Sequence, residues 1–442
     1  MAITLPRAVF PISNSAGLSF TIGALLGLIG ATMGVGPIGI LLISLIYFWK
    51  ERNRARLIFS VPIFQYLIVQ FGLTWWHSGD PFPIELQSYY ALVFLAIPII
   101  HFFITDFDYD EEFFVKGILT GLFLSTALLA LDYFTAWNDS RSCRAKAFQA
   151  NALRSSIHIV PLAAFLGFYY LKQEKRLIYA MSMFILIIVV SWLLTASRTT
   201  SYAAISVLIF GAVYMFASRK FNNGLILFSS LLIGIVLTVS IDQLAGCNST
   251  GRLMNQASKL IQFPLKATEA VKQDLKVKKT VQEEQGGNTP NPSVPNVIKK
   301  NDKRDAGKAL GPRGDLWSRA VKEIRQHPFL GVGAHLERKI MNTNSHSGRV
   351  QPNAHNQFLS WAIYGGIVGA ISGLILFLAL PLTTSWSASV LSFSFIWIAS
   401  SVSLSSVSLG GTMAEYLVTL VVLFRISGNA ANKLTFVWKR MT

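Results

Sequence analysis

The chain has 442 residues, of which 52% are hydrophobic and only 14% are charged. A soluble domain carries about 25% charged residues, so a purely water-soluble globular protein is excluded. The formal net charge of +17 is compatible with an anionic partner, but no nucleic-acid-binding motif accompanies it. We therefore predict contact with membrane lipids and none with nucleic acid.

Apolar segments that could cross a bilayer recur along the chain. Uncharged segments of about 17–25 residues are typical of membrane-spanning helices. The Gly34-Val35-Gly36-Pro37 stretch leaves open whether the first two segments form a tight hairpin or one broken helix. Twelve spans are predicted, near Leu18–Met33, Gly36–Trp49, Leu57–Trp76, Tyr89–Ile104, Val115–Phe134, Ile157–Leu171, Leu177–Leu194, Tyr202–Ala217, Leu225–Ile241, Phe358–Leu380, Ser387–Val402 and Met413–Leu423.

The Lys and Arg residues of the short loops predict the orientation, because cytoplasmic loops are enriched in them. With the N-terminus inside, twelve fall on the cytoplasmic side: Lys50, Arg52, Arg54, Arg56, Lys172, Lys175, Arg176, Arg219, Lys220, Lys433, Lys439 and Arg440. Five fall on the other side: Arg141, Arg144, Lys146, Arg154 and Arg198. Both termini are therefore predicted to be cytoplasmic. The first span lacks a basic leader and a cleavage site, so we expect it to be retained.

One long polar segment, Asp242–Ala354, interrupts the spans. It divides the chain into an N-terminal bundle of about nine spans (1–241), an external loop (242–354) and a C-terminal set of about three spans (355–442). Within the loop, 252–279 resembles an amphipathic surface helix and 280–312 a mobile linker. Cys143 and Cys247 both lie in loops that are predicted to be external. The sequence leaves open whether they form a disulfide or stay as two free thiols.

A helix is predicted after the linker, because Trp317, Ala320, Val321 and Ile324 share the spacing of one helix face. Pro328 with the Gly331/Gly333 pair should end it.

Three clusters could carry chemistry. Thr195-Ala196-Ser197-Arg198-Thr199-Thr200 ends the seventh span, and its Arg is either an interfacial anchor or a phosphate ligand. Arg313-Gly-Asp-Leu-Trp317 opens the loop helix and is, by itself, an ordinary basic helix start. Pro352-Asn-Ala-His355-Asn356-Gln357 stands where the loop re-enters the membrane, before Gly365, Gly366 and Gly369, which allow close backbone packing between spans.

Taken in order along this topology, the clusters resemble the O-antigen ligase/polymerase superfamily. The resemblance is carried by Ser197-Arg198-Thr199, by the run from Arg313 through Trp317 and Pro328 to Gly333, and by His355-Asn356 followed after nine residues by Gly366 and after two more by Gly369. It extends from the seventh span to the tenth.

The resemblance implies an all-α membrane enzyme of about twelve spans and GT-C-like architecture, with one large periplasmic loop between the ninth and tenth. It implies an inner-membrane glycosyltransferase, without cofactor or metal, that takes a glycan from undecaprenyl pyrophosphate at the periplasmic face. The expected acceptor is lipid A–core oligosaccharide for a ligase, or another lipid-linked repeat for a polymerase.

The resemblance also implies residue roles. His355 matches a general base, since an imidazole titrates near neutral pH. Arg198 and Arg313 match cations for the leaving pyrophosphate, with Arg319 as a substitute for Arg313. Asn356 is a further candidate for substrate contact. Independently of the resemblance, Glu415 is an intramembrane carboxylate and thus functional by default; it is a candidate to contact substrate, to orient His355 or to pair with an Arg.

The single large external loop favours a ligase, since polymerases tend to have two. A transporter of lipid-linked sugars is the alternative from another class, although transporters tend to show repeated halves. Here one half ends in a long loop that the other lacks, which disfavours a transporter.

Overall fold

The computed structural model describes most of the predicted bundle and part of the loop. The described residues are 15–32, 35–50, 68–69, 72–73, 75–77, 98–99, 102, 110–135, 145, 147–148, 152–173, 176–246, 251, 312–333, 336, 340–341, 354, 356–383 and 388–402. Outside them lie Met413–Leu423, most of Leu57–Trp76 and Tyr89–Ile104, the amphipathic and linker segments of the loop, and both cysteines.

The described part of the chain is helical. It contains no strand, and an isolated bridge joins Thr32 to Phe148. The helices are α1 (Ser15–Leu28), α2 (Val35–Lys50), α3 (Glu111–Thr135), α4 (Ala152–Leu171), α5 (Leu177–Ile188) continued by a π-helix (Val189–Leu194), α6 (Arg198–Ala217), α7 (Phe221–Leu244), α8 (Pro312–Gln326), α9 (Gln357–Thr383) and α10 (Ala388–Val402).

Five of these segments are long and apolar enough to cross a membrane, counted over the described residues alone. They are Glu111–Thr135, Leu177–Leu194, Thr199–Ala217, Phe221–Leu244 and Gln357–Ile375, with shorter apolar helices at Ala16–Leu28, Val35–Ile46 and Ser155–Leu171. The predicted all-α membrane class is therefore confirmed, whereas the count of twelve spans stays a prediction.

The surface of α7 is typical of a helix in contact with lipid. Leu225, Phe228, Leu232 and Val236 follow one another at helical spacing and are all exposed. In water such a stripe would be an aggregation hazard, and in a bilayer it is the ordinary outer surface of a span. By contrast, nearly every side chain of α4 from Ser155 to Leu171 is buried, because α4 packs against α5, α6 and α10 at the centre of the bundle.

The first two spans form a hairpin, which settles the alternative that the sequence left open. Gly36 and Gly39 of α2 approach Leu25 and Ile29 of α1. Higher residue numbers on α2 face lower ones on α1, so the two helices are antiparallel.

Helices α1 and α3 pack backbone to backbone through small residues. Gly23 and Gly27 on α1 face Gly117 and Gly121 on α3, and a Cβ on Gly27 would lie 2.7 Å from the Gly121 backbone. The hydroxyl of Ser125 also donates to the carbonyl of Gly27 over 2.7 Å. The residue numbers of the facing glycines increase in the same direction along both helices, so the helices are parallel. Small residues four positions apart permit such close packing within a membrane.

Two sets of contacts define the two ends of the bundle. At one end Arg176, at the start of α5, lies 3.8 Å from Glu112, at the start of α3. At the other end the amide of Ala145 donates to the carbonyl of Leu194, and Thr32 bridges to Phe148. The segments that meet at each end are those that the predicted topology places on the same side of the membrane. Which end faces the periplasm stays a prediction.

We expect Gly121→Ala to destabilise the protein by about 1–3 kcal/mol, the usual cost of overpacking, because its methyl group would overlap the backbone of α1. Gly17→Ala is the control, since a Cβ at Gly17 meets no atom within 4 Å and Ala favours helix by about 1 kcal/mol. Thermal unfolding in detergent measures both. A lower midpoint for Gly17→Ala than for Gly121→Ala would contradict the α1–α3 interface.

Candidate functional site

Arg198 is the first residue of α6. The seventh span approaches it through the π-helix, whose i→i+5 pattern continues into the bond from the amide of Thr195 to the carbonyl of Val190. The amide of Ser197 then donates to the carbonyl of Ser191 over 2.8 Å. The chain reverses its direction at Ala196, which has a φ of 44°. Positive φ is uncommon for a residue with a Cβ. The turn before Arg198 is therefore fixed by its own backbone.

The N-terminus of α6 lacks the usual side-chain cap. Ser197 occupies the N-cap position but makes no capping hydrogen bond, and its buried hydroxyl has no partner. The first amides of a helix have no partner within it and carry partial positive charge. This end of α6 can therefore stabilise an anion. The guanidinium of Arg198 lies outside the described residues.

Buried carboxylates stand at the same end of the bundle, and the sequence interpretation missed them. Asp132 is fully buried near the end of α3 and accepts a 2.9 Å hydrogen bond from the amide of Ala147. Asp242 is buried at the end of α7, close enough to Tyr133 to interact electrostatically. Asp132 lies inside a predicted span, and an acid at that depth is by itself a signal of function or of a specific partner.

The predicted loop helix exists, as α8, although the predicted face needs one correction. Ala320 is fully buried and Trp317 and Ile324 are partly buried, whereas Val321 is exposed. Leu316 is buried in its place. The buried face consists of Leu316, Ala320 and Ile324, which are four residues apart. Val321 is rotated by about 100° around the helix axis from Ala320 and so lies outside that face. The helix ends at Gln326, before Pro328, as predicted.

Helix α8 is tied to the segment that leads into the tenth span. The indole Nε1–H of Trp317 donates to the carbonyl of Ala354 over 3.0 Å. Arg319 donates from Nη1 to the carbonyl of Met341 over 2.9 Å, so this predicted substrate ligand also anchors the loop. Arg313 begins the same helix, one turn before Trp317; its side chain is outside the described residues.

Asn356 caps α9. Its Oδ1 accepts hydrogen bonds from the amides of Phe358 (3.0 Å) and Leu359 (3.2 Å), which is the preferred function of Asn at an N-cap. Contact between Asn356 and substrate stays a prediction. His355, the residue before it, and Glu415 both lie outside the described residues.

Helix α9 is broken at the predicted glycine cluster. Gly365 (φ −136°, ψ 19°) and Gly366 (φ 56°, ψ −142°) are not helical. The amides of Val332 and Gly333 donate to the carbonyls of Ile363 and Tyr364 over 2.8 and 2.9 Å.

Beyond the break, the amide of Ile367 donates to the carbonyl of Pro328 over 2.8 Å, and that of Val368 to the carbonyl of Phe329 over 3.4 Å. The segment Pro328–Gly333, called here the sealing loop, therefore supplies partners to both sides of the break. The glycines permit a close approach, as predicted, but the segment that approaches Gly366 is the sealing loop rather than another span.

The described contacts bring together some of the predicted residues and leave others apart. They join the helix that carries Arg313, Trp317 and Arg319 to the stretch that flanks His355. Arg198 is connected to that region through α10, which packs against both α6 and α9.

The geometry can be compared with known proteins. The family model described as O-antigen ligase matches residues 183–374, from the seventh span to the tenth. The resemblance identified in the sequence is thereby confirmed over the segment that carries all three clusters, and it indicates a ligase-type or polymerase-type function. No curated protein matches the chain.

Gly366→Ala should lower the free energy of unfolding more than strain alone predicts. A residue with a Cβ costs about 1–3 kcal/mol at the sparsely populated φ of 56° and ψ of −142° of Gly366, and the new methyl would also overlap the backbone of Phe329, adding about 1–3 kcal/mol. Gly246→Ala is the matched control, with a φ of +64° and open space around its Cβ position. Denaturation in detergent compares the two. Equal losses would show that the sealing loop does not lie against Gly366.

Proposed function

We propose that the protein is an O-antigen ligase. In this proposal it transfers a glycan from undecaprenyl pyrophosphate to lipid A–core oligosaccharide at the periplasmic face of the bacterial inner membrane. The observation that carries the proposal is the Trp317–Ala354 hydrogen bond, because it joins two motif clusters that lie about forty residues apart in the sequence, within the segment matched by the family model.

The proposed reaction is a single displacement. An acceptor hydroxyl attacks the anomeric carbon of the donor, the bond from that carbon to the pyrophosphate oxygen breaks, and the configuration inverts. His355 takes the hydroxyl proton as general base, a role that suits imidazole near neutral pH. Undecaprenyl pyrophosphate leaves with the bonding electrons, so cationic groups that stabilise its added charge lower the barrier.

Two arginines on different helices are proposed to stabilise the departing pyrophosphate. Arg198 stands at the uncapped N-terminus of α6, where the guanidinium and the first helix amides would act on the same anion. Arg313 stands on α8, the helix tied to the stretch around His355. The proposal needs no metal ion, and in the described residues no group of three His, Cys, Asp or Glu side chains is placed to hold one.

The arrangement of α9 disfavours a transporter. Transporters use the free backbone groups of broken helices to hold substrates and ions. Here two carbonyls before the break (Ile363 and Tyr364) and two amides after it (Ile367 and Val368) are paired with the sealing loop. A polymerase remains the second candidate, because it would use the same donor and the same residues and differ in the acceptor.

Deletion of the gene separates ligase from polymerase. A strain without the ligase should make lipopolysaccharide with bare core while long glycan accumulates on the lipid carrier. Core that carries a single repeat would instead indicate a polymerase. Transfer in reconstituted membranes, with donor, acceptor and no nucleotide, would exclude transport as the primary activity.

Arg198→Ala should reduce the turnover of the reconstituted protein by about 10²–10³-fold, the usual effect of removing one donor to a developing charge. Arg198→Lys should recover only part of it, because an ammonium cannot form the planar double contact. The control is Arg219→Asn, which removes a charge at the opposite end of α6, where Asn tolerates the φ of 59°. Turnover of Arg198→Ala equal to that of Arg219→Asn would reduce Arg198 to an interfacial anchor.

A further inference from the structure

We infer that Trp317 is a positioning residue for the transfer reaction, acting through the backbone of the segment that contains His355. The inference rests on the proposed function, since it assumes that His355 is the base. Trp317 is not assigned a contact with substrate. Its proposed effect is to hold the Ala354 carbonyl, and thereby to fix where the next residue stands.

The backbone is fixed on both sides of position 355. Before it, Ala354 is fully buried and its carbonyl accepts the Trp317 N–H. After it, the Asn356 side chain caps α9 and the Asn356 carbonyl accepts the amide of Ser360 over 3.0 Å. The two residues that flank His355 in the sequence are therefore both held by hydrogen bonds.

The same indole relates the base to a leaving-group cation. Arg313 precedes Trp317 by four residues on α8, so their Cβ atoms lie about 5–6 Å apart on one helix face. The Trp317–Ala354 hydrogen bond therefore helps to set the distance between the helix that carries Arg313 and the segment that carries His355, together with the bonds of the sealing loop to α9. The two groups must act on opposite sides of one anomeric carbon, which makes that distance a catalytic quantity.

Helix α8 is a firm base for this contact. Leu316 and Ala320, on either side of Trp317, are buried. The sealing loop that follows the helix is bonded to both halves of α9. Trp317 itself is only partly buried. Its hydrogen bond to Ala354 therefore adds a directional constraint to its packing.

Loss of the indole N–H should therefore reduce turnover while leaving the fold intact. A displacement of about 1 Å at a reacting group can cost about 100-fold. Because Asn356 still holds the other side of position 355, we expect Trp317→Phe to lower kcat by roughly tenfold, less than that limit. The KM for the lipid-linked donor should be unchanged, since the arginines are intact.

A double-mutant cycle tests the inference. Trp317→Phe, His355→Gln and the double variant are compared in kcat, donor KM and thermal midpoint, with the full-length protein reconstituted in vesicles. Trp76→Phe is the control, because Trp76 is a largely exposed indole (71%) whose loss should leave turnover unchanged. If Trp317 acts through His355, Trp317→Phe lowers kcat alone and has no further effect in the His355→Gln background.

Three results would overturn the inference, and they are distinguishable. Wild-type kcat in Trp317→Phe with an inactive His355→Gln would overturn the positioning role alone. Equal fractional losses in both backgrounds, or a lowered midpoint that accounts for the loss, would give Trp317 a structural role instead. High turnover in a correctly inserted His355→Gln protein would refute the proposed base, and the positioning role with it.

Discussion

The sealed break in α9 is the constraint on which the arrangement of α8 and the sealing loop depends. A helix that loses its regular hydrogen bonds near Gly365 and Gly366 leaves amides and carbonyls without partners, and lipid offers none. The sealing loop, which ends at Gly333 and so well before α9 begins at Gln357, supplies partners for four of them. An unpaired backbone group buried in an apolar medium costs several kcal/mol, so the break and the loop are stable only together.

From this pairing follows the arrangement of the candidate site. The sealing loop directly continues α8, so fixing the loop at the break also fixes the helix that carries Arg313 and Trp317. The Trp317–Ala354 bond then closes a ring of contacts that runs from α8 through the loop to the break, and back along the first half of α9 to its cap. Ala354 and Asn356, the neighbours of His355 in the sequence, both belong to this ring. A general base needs such rigidity, because proton transfer depends strongly on geometry.

The bundle supplies the second half of the proposed chemistry by a different device. The π-helix that ends at Leu194 adds a residue to the turn, and the reversal at Ala196 places Arg198 at the very start of α6. The loop residue Ala145 holds the same end of the bundle through its bond to Leu194. Asp132 and Asp242 are buried at that end too, so carboxyl groups accompany the N-terminus of α6 there.

The sequence by itself determined the class of protein, the positions of the described spans and the segment that carries the family motifs. The span Leu177–Leu194 was predicted with the bounds that the structure has, because hydrophobicity over about twenty residues is a local property. The end of α8 was predicted too, since Pro and Gly act on their own backbone. The roles assigned to Arg198, Arg313, Arg319, Asn356, His355 and Glu415 stay predictions.

Only the tertiary structure decided which distant segments meet. The break at Gly365–Gly366 could not be predicted as a break, because glycine permits both a kink and a close helix contact. What selects between them is the loop that reaches the site. The Trp317–Ala354 bond was likewise outside the local pattern, whereas the cap that Asn356 provides is local, because it bonds to the amides of Phe358 and Leu359. Hydrogen bonds between segments far apart in the chain depend on the packing of the whole bundle, which no sequence window contains.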